Sequence, residues 1–145
     1  MLVMVALLLT GVIVAAQSAL PPGVTSITFG EAVRTKDSTG LETCRVAKPV
    51  EPPVFRKGTT QITYAVELEP LTVKSASAQL ITMPPQQSSL VGPACNIFSL
   101  VRGGFSQTQI GNTISRADNA PLAAGVYTLR VTVDGRTTEV SFTVK

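Results

Sequence analysis

The residue types that most often carry catalysis are scarce in this sequence and are not spaced for it. There is no histidine, which excludes a serine nucleophile activated by imidazole, and no Ser-x-x-Lys occurs to support a serine–lysine pair. Glu67 and Glu69 point to the same side of one predicted strand, but Pro70 ends that strand. We interpret these two acids as a solvated edge and not as a paired-acid site, and we expect no enzymatic activity.

Metal and phosphate sites are not indicated either. Two isolated cysteines without any histidine do not make a four-ligand zinc site. Asp118-Asn119 could bind calcium only with further ligands, and no Asp-x-Asp-x-Asp array is present. Gly103-Gly104 lacks the spacing of a phosphate loop, so the sequence predicts a hairpin turn there. We therefore expect no cofactor.

The two cysteines, Cys44 and Cys95, are predicted to form one disulfide. Each lies in a strand-like run, Leu41 to Ala47 and Cys95 to Val101. An even, low number of cysteines in an exported chain is typical of a single disulfide. The alternative is a pair of buried free thiols.

Residues 1–20 are predicted to form an N-terminal hydrophobic helix that is either a signal peptide or a membrane anchor. The run from Leu2 to Ala16 has no charge, is long enough for a signal-peptide core, and is short for a spanning helix of about 20 residues. Val14-Ala15-Ala16 before Gln17 fits a small-residue cleavage site. No Lys or Arg precedes the run, so a retained anchor is a second interpretation and a buried core element a third. The predicted location is extracytoplasmic: secreted, periplasmic or at the cell surface.

The C-terminal residues predict a β-hairpin in detail. Apolar and polar residues alternate from Gly125 to Val133 and again from Arg136 to Lys145, and Asp134-Gly135 between them suits a type I′ turn. A two-residue loop fixes the register. The expected cross-strand pairs are Val133 with Arg136, Leu129 with Val140, Tyr127 with Phe142, and Arg130 with Glu139.

The rest of the chain after the leader predicts further short strands and no helix. Prolines and glycines cluster between apolar runs, and three prolines between Lys48 and Pro53 predict an extended crossing. Seven to eight strands in all favour a single antiparallel β-sandwich over residues 21–145. The other predicted strands are Val24 to Thr35, Leu41 to Ala47, Gln61 to Leu68, Ala76 to Met83, Ile97 to Val101 and Phe105 to Ile114.

Two stretches resemble known domains. Ala120 to Val131 resembles the L-x-x-G-x-Y-x-L-x-V closing strand of bacterial immunoglobulin-like and fibronectin type III-like sandwiches. Phe55 to Tyr64 resembles the F-x-x-G-x-x-I-x-x start of a middle strand in uncharacterised extracytoplasmic domains of bacterial envelope proteins. The resemblance implies an immunoglobulin-like fold and a cell-envelope setting, and it carries no active site. It also implies that Tyr127 forms a tyrosine corner, in which the hydroxyl bonds back to nearby backbone.

These observations predict a non-enzymatic interaction or structural module of the cell envelope. The expected partner is another envelope protein or a surface polymer, and a membrane is reached only through the N-terminal segment. The net charge of +3 is not clustered, which argues against nucleic acid. The alternative function is a membrane-anchored accessory subunit of a secretion or pilus-like assembly.

The predicted contact surface is one loop end of the sandwich. It combines Gln86 to Pro93 with Arg102 to Phe105, because recognition is usually carried by loops on a rigid scaffold. Its main candidates are the polar Gln86, Gln87 and Arg102, with Phe105 as an aromatic anchor. The alternative is that both segments are merely solvated connections.

Overall fold

The regular structure of the chain is entirely β. The computed structural model describes residues 19–36, 42–85, 94–101 and 104–145, without the side chains of 32–36, 42–45, 94–101 and 104–105. These residues form eight strands of seven residues or more and one strand of two. The strands are β1 Val24–Lys36, β2 Glu42–Pro49, β3 Val54–Phe55, β4 Gln61–Leu68, β5 Ala76–Thr82, β6 Ala94–Val101, β7 Gly104–Ser115, β8 Gly125–Val133 and β9 Arg136–Val144.

The strands make two sheets, with the orders β2-β1-β4-β7-β6 and β3-β9-β8-β5. Neighbours pair antiparallel except β3 and β9, which run parallel, so the prediction of a wholly antiparallel arrangement is wrong at this one place. The reason is the crossing at Pro52-Pro53, which brings the chain alongside β9 in the same direction. There the amide of Thr143 donates to the oxygen of Pro53 at 3.0 Å, and the amide of Lys145 to Phe55 at 2.9 Å.

The C-terminal hairpin is confirmed residue by residue. β8 and β9 pair in the predicted register, with Tyr127 opposite Phe142 and Arg130 opposite Glu139. Asp134 and Gly135 both have positive φ, 46° and 81°, as a type I′ turn requires. The guanidinium of Arg130 lies 2.8 Å from the carboxylate of Glu139. Local pattern and turn chemistry were therefore sufficient to predict the register of this element.

One aromatic cluster connects the two sheets. The ring of Phe142 in β9 stacks on Tyr127 with centroids 4.8 Å apart and planes 6° apart. It also contacts Phe29 of β1 at 5.2 Å and Phe55 of β3 at 6.0 Å. All four rings are buried, and they belong to one continuous core to which Val66 of β4 and the other inward-facing residues of both sheets contribute.

The five-stranded sheet curls strongly. In a flat sheet of this order β2 and β6 would lie about 19 Å apart, four strand spacings. Instead, Cα atoms of these two strands come within 8 Å of each other. The register of β1 with β2 shifts between Glu31 and Ala32, and such a bulge increases local twist. Gly30 stands just before this bulge, where a Cβ would overlap the carbonyl oxygen of Lys48.

The central strand β4 is buried on both of its faces. Ile62 and Val66 face the shared core, whereas Thr63 and Ala65 on the opposite face are also almost completely covered. Thr63 is satisfied there by a hydrogen bond of 3.1 Å between its hydroxyl and that of Thr113 in β7. A buried hydroxyl needs such a partner, because leaving it unpaired costs free energy.

The link from β7 to β8 is held by a tyrosine corner, as predicted for Tyr127. The hydroxyl of Tyr127 donates to the carbonyl oxygen of Ala123 at 2.8 Å. The amide of Leu122, a buried residue, donates to Thr59 at 2.8 Å. Upstream in the same link, the guanidinium of Arg116 hydrogen-bonds Asp118, and this bond lowers the pKa of the carboxyl group.

The first prediction concerns this corner. Tyr127→Phe keeps the ring stack on Phe142 and removes only the hydrogen bond, so we expect the free energy of unfolding to fall by about 1 kcal/mol. The measurement is urea denaturation. Tyr64→Phe is the matched control, since Tyr64 is a second buried tyrosine and the described contacts give its hydroxyl no hydrogen bond. Equal losses in the two variants would show that the corner contributes nothing beyond the loss of a hydroxyl.

Candidate functional site

Most of the predicted contact surface lies outside the described residues. This holds for Gln86, Gln87 and Arg102, and only the backbone of Phe105 is described, in β7. Strand β6 continues into the first segment at Ala94 and into the second at Val101. The two points lie about 23 Å apart along an eight-residue strand. The two segments therefore adjoin opposite ends of β6, and their combination in one contact surface stays a prediction. β6 and β7 pair antiparallel up to Val101 opposite Gly104.

The cysteines lie on the two outer strands of the curled sheet. Cys44 belongs to β2 and Cys95 to β6. Because these strands come within 8 Å of each other, the backbone meets one condition for a bridge between them. The side chains of both cysteines lie outside the described part of the structure, so the disulfide stays a prediction.

The chain enters the domain through a tight turn. The predicted leader, residues 1–20, lies outside the described part except for Ala19 and Leu20, and among the described residues no helix has the length and apolarity to cross a membrane. The turn runs from Pro21 to Val24, whose amide donates to the oxygen of Pro21 at 3.0 Å. Gly23 takes the positive φ of 88° that the third position of a type II turn needs after Pro22. Its carbonyl accepts the amide of Glu69 at 2.8 Å, which fixes this turn to the end of β4.

Three turns meet at this end of the domain and enclose a shallow groove of about 380 Å³, here called the end groove. They are the turn before β1, the β4–β5 connection and the β8–β9 turn. The residues that line the groove are Pro22, Gly23, Glu69, Thr72, Val73, Val133, Asp134 and Arg136. The sequence predicted the β8–β9 turn among these three and gave no indication that they meet.

Asp134 holds one wall of the end groove in place. Its carboxylate oxygen Oδ1 accepts the amides of Lys74 at 3.0 Å and Ser75 at 2.9 Å. Its own amide donates to the carbonyl oxygen of Ser75 at 3.0 Å. One turn residue therefore sets the hairpin register and ties the β4–β5 connection to it.

Leu71 stands beside the groove in an unusual conformation. It has a positive φ of 73°, which is strained for a bulky side chain, and 68% of its surface is exposed. Its amide donates to the hydroxyl of Ser106 at 3.0 Å, and Ser106 is buried in β7. The fold thus holds an apolar side chain outward at a conformational cost of order 1–3 kcal/mol. Leu20, 42% exposed, precedes the turn on the other wall.

The charges at the end groove are mixed. Glu69 and Asp134 bring carboxylates and Arg136 brings a cation, and Lys74 follows the lining residue Val73; all four are exposed. The hydroxyl of Thr72 donates to the carbonyl oxygen of Glu69 at 3.0 Å, which shapes the connection. Among the described residues no group of three or more potential ligands is arranged to hold a metal ion. A groove with both signs of charge and an apolar rim suits contact with another protein surface.

Glu67 differs from its predicted role. It is half-buried and not part of a solvated edge, because β4 is the middle strand of its sheet. The side-chain amide of Gln109 in β7 donates to its carboxylate, while Oε1 of Gln109 is buried without a hydrogen bond among the described contacts. Glu69, beyond the strand, is exposed. The two acids are therefore in different environments.

The second prediction tests the Asp134 anchor. Asp134→Gly tolerates positive φ but removes both acceptor contacts, so we expect a loss of about 1–2 kcal/mol in the free energy of unfolding. Asp134→Asn keeps an acceptor oxygen and the tolerance of positive φ, and is expected to lose less than half as much. Denaturant unfolding of both variants measures this difference. An Asp134→Gly variant as stable as the original would mean that the carboxylate contacts do not stabilise the turn, and equal losses in both variants would mean that an amide oxygen does not replace the carboxylate.

The third prediction tests the disulfide. Thiol labelling of the denatured, unreduced protein should modify neither Cys44 nor Cys95, and labelling after reduction should modify both. A closed loop of roughly 50 residues would stabilise the fold by about 4 kcal/mol in the chain-entropy treatment, so reduction should lower the melting temperature markedly. Two reactive thiols before reduction would contradict the prediction.

No protein-family model matches this sequence, and comparisons with curated proteins and with solved structures give no match either. The roles of individual residues therefore rest on the contacts, burial and charge of this chain itself.

Proposed function

We propose that this chain is a non-enzymatic interaction module of the cell envelope, and that the end groove is its contact surface. The observation that carries the proposal is Leu71, a bulky apolar side chain held outward at positive φ beside a groove. Strain of this kind persists only where the surrounding structure maintains it, and it is concentrated at functional sites. An exposed leucine with no core to fill is suited to anchor a partner.

The proposed architecture is an immunoglobulin-like sandwich. It is supported by two sheets that share one core and by the corner bond from Tyr127 to Ala123. In such domains the loops at the ends carry recognition while the sheets stay rigid. The end groove fits this division, because its walls are three connecting turns and its lining residues are fixed by hydrogen bonds to neighbouring turns.

The proposed location is extracytoplasmic. It is supported by the uncharged apolar run from Leu2 to Ala16 and by the even pair of cysteines. Of the two expected partners, we favour an envelope protein over a surface polymer, because a sugar polymer offers little apolar surface to Leu71 and Leu20. The mixed charges of Glu69, Lys74 and Arg136 give such a protein partner both signs to match.

A membrane-anchored accessory subunit is the second candidate, and one observation favours it. The chain enters the domain at the same end as the groove, through the Pro21–Val24 turn. Residues 17–20 separate the Pro21–Val24 turn from the apolar run, a reach of about 14 Å when extended. A retained anchor would therefore hold the groove close to the membrane. The mass of the mature chain separates the candidates, because cleavage after Ala16 would leave no anchor.

The fourth prediction tests the contact surface in living cells that produce the protein. A photo-crosslinking amino acid placed at Leu71 is expected to give a discrete adduct with a second protein. The same amino acid at Arg56, exposed at the opposite end beside β3, is the matched control and should give none. The adduct should also be lost when Arg136→Glu reverses the charge in the groove. Equal adducts at both ends, or none at Leu71, would contradict the proposal.

A further inference from the structure

β5 is an edge strand with little of the usual protection, since its one irregularity is a register shift between Leu80 and Thr82 near its end. In the part of the chain that the structure describes, β8 is its only ladder partner, and the sheet ends with β5. Alternate amide and carbonyl groups of an edge strand point away from the sheet and can pair with another strand. Natural edges are usually blunted by lysine, proline or a short length. β5 is seven residues long and has neither lysine nor proline.

The other edges contrast with β5. β3 has two residues and follows Pro52-Pro53. The edge of β9 that β3 leaves uncovered carries Arg136 and Glu139. In the five-stranded sheet, the edge strand β2 contains Lys48 and Pro49. No charged residue occurs from Ser75 to Pro84, so an approaching copy of β5 meets no like charge.

The side chains of β5 are arranged so that two antiparallel copies of the strand would place outer-face residues opposite outer-face residues. On the outer face of the sheet, Ser77, Gln79 and Thr82 lie opposite Thr132, Arg130 and Thr128 of β8. The register shifts between Leu80 and Thr82, so that Leu80 and Ile81 together occupy one position. Counted in this way, Gln79 is equally far from Ser77 and Thr82. An antiparallel copy centred on Gln79 would bring Ser77 opposite Thr82 and keep outer-face residues together.

We infer that two copies of this chain pair antiparallel through β5 about a two-fold axis at Gln79, which joins their four-stranded sheets into one sheet of eight strands. Core-facing Ala78 then lies beside Leu80 of the other copy, and Gln79 lies opposite Gln79. The interface is isologous, as in most homodimers. A single strand pair buries less than a standard interface, so the dimer is weak and depends on concentration.

The fifth prediction uses paired charges on β5. Ser77→Lys with Thr82→Lys places like charges opposite each other twice in the dimer, so we expect the dimer dissociation constant to rise about tenfold or more. Ser77→Glu with Thr82→Lys places opposite charges there and should leave the dimer as tight as the original or tighter. Thr137→Lys with Ser141→Lys is the control, since it adds two charges to exposed positions of β9 and should change nothing.

Sedimentation equilibrium of the full chain over a range of concentrations measures these dissociation constants. If another segment drove the association, none of the three variants would change the dissociation constant. In the original protein the exchange of β5 amides should slow as the concentration rises. A chain that stays monomeric throughout, or β5 amides protected only by a different added protein, would overturn the inference. The end groove is not involved, so failure of the Leu71 crosslink and failure of this dimer are separate results.

Discussion

The ring of Phe142 is the contact on which the two-sheet arrangement depends, because it stacks on Tyr127 in its own sheet and meets Phe29 of the other sheet. Phe142 touches a ring from β1, a ring from β3 and a ring from β8, so it joins both sheets and the short parallel strand at once. The chain has no tryptophan and only seven aromatic residues, and four of them form this cluster. Each aromatic pair adds about 0.5–1.5 kcal/mol beyond its buried area. Since Tyr127 also forms the corner bond to Ala123, core packing and the β7–β8 link are fixed by one side chain.

The curl of the five-stranded sheet explains features that a flat sheet would not have. It brings β2 toward β4 and β6, and it accompanies the burial of both faces of β4. A strand covered on both sides cannot follow strict polar–apolar alternation, and the small polar Thr63 is accommodated by pairing with Thr113. The missing side chain of Gly30 allows the close approach of β2 at Lys48. Backbone proximity at one glycine thus has consequences for the whole sheet.

The sequence predicted those parts of the fold that depend on neighbouring residues. The hairpin register followed from alternation and Asp134-Gly135, and the bounds of β4 followed from its apolar pattern between turns. β3 was not predicted, because two residues after prolines make no periodic signal. The role of Glu67 was wrong for a different reason. Whether an acid at a strand end is solvated depends on which strands lie beside it, and that order is not a local property.

The candidate site shows the same limit. Pro22-Gly23 and Asp134-Gly135 were each identifiable as turns, but nothing in either stretch indicates that they share a groove with Thr72 and Val73. The exposed position of Leu71 could not be predicted, since nothing about a leucine between Pro70 and Thr72 indicates a positive φ. What could have been suspected is the second use of Asp134. A type I′ turn accepts aspartate and asparagine equally well. An aspartate at this position can therefore have a second function for its carboxylate besides forming the turn.

Asp134 also connects the end groove with the free edge of the sheet. The residues whose amides it accepts, Lys74 and Ser75, lead directly into β5, whose first residue Ala76 pairs with Val133. The start of the edge strand is therefore positioned by the same turn that forms a groove wall. β8, paired with β5 on one side and β9 on the other, supports both features. Asp134 is exposed and its contacts are hydrogen bonds, whereas Val73 and Val133, which also line the groove, belong to the buried core that contains Phe142. The groove therefore joins an exposed anchor to the core of the domain.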